Sequence, residues 1–227
     1  LMKKNYLDII DPIHDFIRVY DHELKIIDDP IFQRLRRIRQ LSGAHLTYPA
    51  AQHTRFEHSL GVMHIASQAG QALHEKGILK SDDIEILRLA GLLHDIGHGP
   101  FSHLFEEVIQ QKKFSHEDFG KEIILKSEIG DNLSRNGYDK KFITKIAFGD
   151  SKLQFLNEIV SGALSADMMD YLLRDGYFTG AEHAKIDHKR ITQSLDVHRK
   201  KLALERSALY SFESMMHSRY QMFKAVY

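Results

Sequence analysis

Along most of the chain apolar residues return every three or four positions, the spacing of helices that bury one face. The start is different. Residues 1–27 mix β-branched and polar positions around Asp11-Pro12, with Ile9, Ile10, Ile13, Ile17 and Val19 apolar, which predicts a short strand or hairpin. From Asp28 onward the helical spacing takes over. Asp29-Pro30 reads as a cap followed by proline at the first helical position, and Ile31, Phe32, Leu35 and Ile38 continue to a stop near Ser42-Gly43. A second helix is expected from about Glu57 to Lys76, ended by Gly77.

A third helix opens on a capping box of Asp82 and Glu85. Its body, Ile84 to Leu93, carries one charge after Glu85, at Arg88, so burial on most sides is expected. His94-Asp95 closes it before Gly97, Gly99 and Pro100 break the pattern. Further helices are expected over 101–111, 116–127, 139–147, 154–173 and 207–227, with a short helix and a strand between Lys185 and Leu204. The predicted fold is mainly α, a helical bundle with a short N-terminal β element: an extension over 1–27 and one domain over 28–227. The last segment is still in helical register at Tyr227, so the domain is expected to be truncated at its C-terminus.

Composition narrows the chemistry. The 227 residues hold 31 Lys+Arg against 31 Asp+Glu, and this neutrality argues against a global nucleic-acid footprint. A local basic run, Gln33-Arg34-Leu35-Arg36-Arg37-Ile38-Arg39, admits a solvated helix face paired with Asp28 and Asp29, or a nucleic-acid patch. The patch is not favoured, because no aromatic residues interleave with the charges. No stretch approaches the roughly 18 apolar residues of a membrane span, and the first residues lack a signal-peptide core. A cytoplasmic protein with no membrane partner is expected. Zero cysteines exclude disulfides, iron–sulfur clusters and thiolate zinc, so any bound metal must use His, Asp and Glu.

Histidine is the unusual feature, with 15 in all and nine of them between His45 and His116. His94-Asp95 stands at the end of an apolar helix, where a carboxylate needs a cation or a strong partner to offset its lost hydration. His58 follows Arg55-Phe56-Glu57 at another helix start, His98 and His103 continue the glycine-broken turn, and His116-Glu117 opens a helix behind Ser115. Asp167, Asp170 and Asp175 punctuate a later apolar segment. Two imidazoles with two carboxylates suit one six-coordinate divalent ion (Mn, Fe, Co or Mg, with Zn also admissible) and leave two positions for water or phosphate oxygens.

The ordered motifs Arg55-Phe56-Glu57-His58-Ser59-Leu60-Gly61-Val62, His94-Asp95-Ile96-Gly97-His98-Gly99-Pro100-Phe101-Ser102-His103, His116-Glu117, and Asp167 with Asp170-Tyr171 and Arg174-Asp175 resemble the HD-domain phosphohydrolases. Within them they resemble the deoxynucleoside triphosphate triphosphohydrolases. The resemblance implies an HD-domain helical bundle holding one divalent ion per chain on His58, His94, Asp95 and Asp167. It implies that His116, supported by Glu117, acts on the phosphate ester, with His98 in the same pocket. It places Arg55 at a phosphate, Gln40, Leu41, Tyr171 and Asp175 at the sugar, and His103, Arg219 and Tyr227 around the nucleotide. Asp28 and Arg36 correspond to residues that recognise a regulatory nucleotide, and Met168 stands where vertebrate members carry a phosphate-binding lysine. The implied partners are a deoxynucleotide substrate and further copies of the chain, as a dimer or tetramer.

The implied reaction cleaves a deoxynucleoside triphosphate to deoxynucleoside and inorganic triphosphate by attack of water at the α-phosphorus. Two other readings stand beside it. One is an HD-domain hydrolase of another phosphate ester, such as a nucleoside monophosphate or a signalling nucleotide. The other is a non-catalytic nucleotide- or nucleic-acid-binding regulator that keeps the fold.

Overall fold

The computed structural model describes residues 5–101, 114–181 and 185–227. The chain opens on an antiparallel hairpin of β1 (Tyr6–Asp11) and β2 (Asp15–Tyr20), with Tyr6 opposite Tyr20 and Asp11 opposite Asp15. Its tight turn is organised by the Asp11 carboxylate, which accepts from the backbone N–H groups of Ile13 at 2.9 Å and His14 at 3.0 Å. Strand alternation puts Ile17 and Val19 in the core and leaves Phe16 and Arg18 outside.

Helix α1 (Asp21–Ile27) begins seven residues before the expected onset at Asp28. The residue responsible is Glu23. Its carboxylate takes the Tyr20 N–H at 2.9 Å and reaches inward to Arg88, so a residue that reads as a surface charge starts the helix and enters the core.

The next expected helix is much shorter than predicted. Asp29 caps α2 (Pro30–Gln33) as foreseen, accepting from Ile31 N–H at 2.8 Å, and one 3₁₀ turn over Arg34–Arg37 ends it. Ile38 is already extended, and Arg39 bridges to Thr54 instead of continuing the helix toward Ser42-Gly43.

Two long helices, α3 (Arg55–Glu75) and α4 (Ser81–Leu93), form the centre of the molecule. They pack closely because Gly91 lets α4 approach the α3 backbone; a Cβ there would lie 3.2 Å from the Val62 carbonyl oxygen. The start of α4 departs from expectation. Asp83, not Glu85, closes the cap by accepting from Lys80 N–H at 2.8 Å, while Glu85 accepts from the Tyr138 hydroxyl at 2.6 Å.

The later chain adds α5 (His116–Lys126), α6 (Glu128–Arg135), which the periodicity did not predict, and α7 (Lys140–Ala147). The helix expected over 154–173 is two helices, α8 (Gln154–Val160) and α9 (Ala166–Thr179). Ser165 restarts it: its hydroxyl donates to the Gly162 carbonyl at 2.8 Å and accepts from Met168 N–H at 3.1 Å.

Next come α10 (His188–Gln193) and a second hairpin of β3 (Leu195–His198) and β4 (Lys201–Leu204), two strands where one was expected. The chain ends on α11 (Leu209–Ala225). The helix expected over 101–111 falls almost wholly outside the described residues. Mainly helical architecture holds throughout, and no described helix is long and apolar enough to cross a membrane.

One buried ion pair ties the hairpin side to the central helices. Arg88 donates from Nε to Glu23 at 2.6 Å, from Nη2 to Glu23 at 2.8 Å, and from Nη2 to the Arg18 carbonyl at 2.7 Å. Removing one partner strands the other charge out of water, which costs about 3–5 kcal/mol. Glu23→Ala is therefore expected to lower unfolding stability by that order in a urea titration, and the double variant Glu23→Leu/Arg88→Met to recover most of it. A loss below about 1 kcal/mol for the single variant would contradict this.

Candidate functional site

Three helix ends converge on one point. Thr54 caps α3, with the Glu57 carboxylate accepting its N–H at 2.9 Å, and this start places Arg55 and His58 one turn apart on the same face. His94 follows the last turn of α4, and Asp167 stands in the first turn of α9. One ligand atom each from His58, His94 and Asp167 lies within 4.8 Å of the others.

Each imidazole is anchored from behind. His58 Nδ1 meets Asp170 Oδ2 at 2.8 Å, and His94 Nδ1 meets the Gly91 carbonyl at 2.7 Å. Their Nε2 atoms are buried and make no hydrogen bond among the described residues; His58 Nε2 instead lies 3.2 Å from Asp167 Oδ1. One ring nitrogen held by an acceptor while the other points at a carboxylate is the arrangement of a metal-ligating histidine. The donor set of two neutral nitrogens and a carboxylate suits a divalent cation of the first transition row or magnesium.

The support behind His58 is a buried charge network. Asp170 also binds His14 Nε2 at 2.6 Å and Arg174 at 2.9 and 3.0 Å, and Arg174 reaches Asp11 at 2.9 Å. Gly61 makes room for it, since a Cβ at that position would fall 1.8 Å from Asp170 Oδ1. Burial alone would discharge His58, but Asp167 and Asp170 at its two nitrogens, with Asp95 beyond, raise its pKa to about 10. In the metal-free protein a proton therefore occupies the place a cation would take.

Asp95 stands beside this group. Its oxygens lie 3.8 Å from His58 Nε2 and 3.5 Å from His94 Nε2, while Arg55 Nη1 donates to it and His98 Nε2 is 3.2 Å away. Burial opposes its ionisation, yet Arg55 and the neighbouring imidazoles hold it well below the usual carboxylate range. Burial pushes His98 down to about 4 against the pull of Asp95, so its ring is neutral near pH 7. His98 stacks on His116, with ring centroids 4.0 Å apart and planes at 15°.

A cleft of about 320 Å³ opens over these residues, lined by Gln40, Arg55, His94, Asp95, His98, His116, Glu117, Asp167 and Tyr171. Its remaining wall, Ala147 to Gly149 with Ser161, carried no signal in the sequence. Leu41, Asp175, Arg219 and Tyr227 are not among the lining residues. Leu41 is half-buried beside Gln40. The other three stand behind Tyr171: Arg219 Nε donates to the Tyr171 hydroxyl at 3.3 Å, and the Tyr227 hydroxyl donates to Asp175 Oδ2 at 2.7 Å.

His53, which had no assigned role, takes the other Asp175 oxygen at 2.6 Å and stacks on Phe178. His14, likewise unassigned, proves to be a buried partner of Asp170. His103 lies outside the described residues. Asp28 and Arg36 are both exposed and away from the cleft; Arg36 donates to Gln33 at 2.8 Å, and its guanidinium carbon sits 3.5 Å from the Phe56 ring centroid. No ion pair joins the basic run to Asp28 or Asp29 among the described residues; Asp29 is spent on the cap of α2.

Helix ends that bring imidazoles and a carboxylate to one point at the floor of a polar cleft form a candidate metal site. Residues 55–174 match the HD domain, and the chain belongs to this family of phosphohydrolases. It superimposes over 98% of its length on a phosphohydrolase from Bacteroides thetaiotaomicron, with a TM-score of 0.88 and 37% identity, covering 54% of that chain. It is 33% identical over 242 residues to a deoxynucleoside triphosphate triphosphohydrolase SAMHD1 homolog of Dictyostelium discoideum, which spans 99% of this chain and 46% of that one. It is 40% identical over 223 residues to an uncharacterized protein of Methanocaldococcus jannaschii, 96% of this chain and 45% of that one. The chain thus spans about half the length of the curated relatives it matches.

Three consequences can be measured. His58 has a pKa raised above the ~6.5 of an unfolded imidazole, so its stabilising contribution to the metal-free protein is full below about pH 6.5 and lost as pH climbs through about 10. Melting temperature of the metal-free protein is expected to fall over that window. Metal binding at pH 8 is expected to expel about one proton, seen as a calorimetric enthalpy that tracks buffer ionisation heat; a buffer-independent enthalpy contradicts it. Gly61→Ala must push Asp170 off His58, so divalent-metal affinity is expected to fall about 10- to 100-fold. Unchanged affinity in a folded variant would show that Asp170 does not hold the ligand.

Proposed function

We propose that this chain hydrolyses deoxynucleoside triphosphates to the deoxynucleoside and inorganic triphosphate, with one divalent ion per chain (Mn, Fe, Co, Mg or Zn). The observation that carries the reading is the single cleft in which His94 and Asp167 of the metal-ligating group face Arg55, His98, His116 and Tyr171. The Dictyostelium relative, which matches nearly the whole chain, favours deoxynucleoside triphosphates among phosphate esters.

The ion would be held by His58, His94 and Asp167, with Asp95 close enough to complete the set, and would supply Lewis-acid polarisation of a phosphoryl oxygen. The chain does the rest. Arg55, fixed by Asp95, offsets phosphate charge at the cleft floor. Water adds to the α-phosphorus and the bond to the 5′-oxygen breaks, so that oxygen must gain a proton while the water loses one. His116, oriented by its stack on neutral His98 and adjacent to Glu117, is placed to carry that proton.

Tyr171, held by Arg219, and Gln40 line the cleft where the sugar would sit, with Leu41 next to Gln40 in the chain, and a close approach there would exclude a 2′-hydroxyl. A 3′-hydroxyl reaching Asp175 would take over the bond that the Tyr227 hydroxyl now donates. Arg219 and Tyr227, which stand behind Tyr171, would complete the surround of the nucleotide. Asp28 and Arg36 would serve a regulatory nucleotide at a distance, in a dimer or tetramer.

A second reading, hydrolysis of another phosphate ester, draws support from Met168. That side chain is buried in the core and brings no cation to a triphosphate. Product analysis separates the two. Incubation of the metal-loaded protein with dGTP is expected to release deoxyguanosine and inorganic triphosphate, and Asp167→Ala to abolish metal content and turnover together. Orthophosphate or pyrophosphate as the only phosphorus product would overturn the reading in favour of the second.

A further inference from the structure

The basic run beside α2 contributes no residue to the cleft before Gln40, and its members behave differently from one another. Arg36 and Arg39 are exposed, each donating from Nε to a glutamine at 2.8 Å, Gln33 and Gln52 respectively. Arg34 turns inward. Its Nη1 donates to the His98 carbonyl at 2.5 Å and its Nη2 to the Ile96 carbonyl.

No carboxylate pairs with Arg34 among the described residues. Burial accordingly lowers its pKa. A half-buried guanidinium satisfied only by neutral carbonyls is a costly placement, and lysine could not reproduce it, because only a planar fork spans two carbonyls at once.

The two carbonyls flank Gly97, and Gly97 itself is pressed against α5. A Cβ at Gly97 would fall 2.0 Å from the His116 carbonyl oxygen and 2.5 Å from Gly120 N. The turn after His94 is therefore held at two places, by Arg34 and by the backbone that carries His116. The side chains it presents to the cleft are Asp95 and His98.

We propose that Arg34 is a positioning residue: by clasping the carbonyls on either side of Gly97 it fixes His98 against His116 in the cleft, without itself touching substrate. The inference rests on the HD-domain site and not on which phosphate ester is cleaved.

Arg34→Met removes the fork and keeps the apolar stem; Arg34→Lys keeps the charge and loses the fork. Both are compared with the parent by hydrogen–deuterium exchange of peptides covering 94–101, by metal content, by melting temperature, and by steady-state kinetics on any substrate the parent turns over. In Arg34→Met, exchange at the turn is expected to accelerate about tenfold or more while distant helices and metal content hold. The kcat is expected to fall about tenfold or more with KM moved less than about threefold. Arg34→Lys is expected to fall short of the parent in both readouts.

Unchanged turn exchange in a folded variant overturns the proposal whatever the substrate is. So does a lysine variant equal to the parent, or accelerated exchange spread evenly over the molecule, which would make Arg34 a general stabiliser. If Arg34→Met does not fold, Arg34→Lys alone decides by the same exchange and kcat readouts.

Discussion

A single buried carboxylate, Asp170, organises the centre of this molecule. One of its oxygens accepts from His14 and the other from His58, and the Arg174 guanidinium braces both. Four charged or titratable groups out of contact with water would be prohibitive one by one; hydrogen-bonded together they offset one another. The arrangement needs a hole in α3, which Gly61 provides, and a second acid, Asp11, to balance Arg174. Asp11 in turn shapes the hairpin turn that delivers His14. The imidazole of His58 is therefore aimed by residues from three separated parts of the chain.

Much of this was legible before any coordinates. Helical spacing located the two central helices and α5, α7 and α11 to within a few residues. The setting of His94-Asp95 at the end of an apolar helix marked the place for chemistry, and the resemblance of the ordered motifs to the HD domain supplied His58, His94, Asp95 and Asp167 as a ligand set. What escaped has physical causes. The break between α8 and α9 rests on a Ser165 hydroxyl bond over a short loop, which periodicity does not register. The end of α2 is set by tertiary contacts of Arg34 and Arg39, not by a local stop residue.

The site followed the same division. Most residues that face the cleft, and Asp175, Arg219 and Tyr227 behind it, were named through the resemblance of their motifs, whereas the histidines that hold Asp170 and Asp175 were not. His14 and His53 look like any other scattered histidine until the fold brings Asp170 and Asp175 to them. Gly61 carried a faint signal as a glycine inside a long helix, and Asp170 with Arg174 another as an acid and a base four apart. The cleft wall from Ala147 to Gly149 had none, because it is built from shape and not from chemistry.

The span between His14 and Asp170, 156 residues in sequence, also bears on how the molecule is made. A chain emerging from the ribosome exposes Asp11 and His14 long before Asp170 and Arg174 exist to meet them. Contacts of such separation close late, after the intervening helices have collapsed around one another. The support behind His58 is thus complete only when the first hairpin and the late helix have met, whatever forms before them.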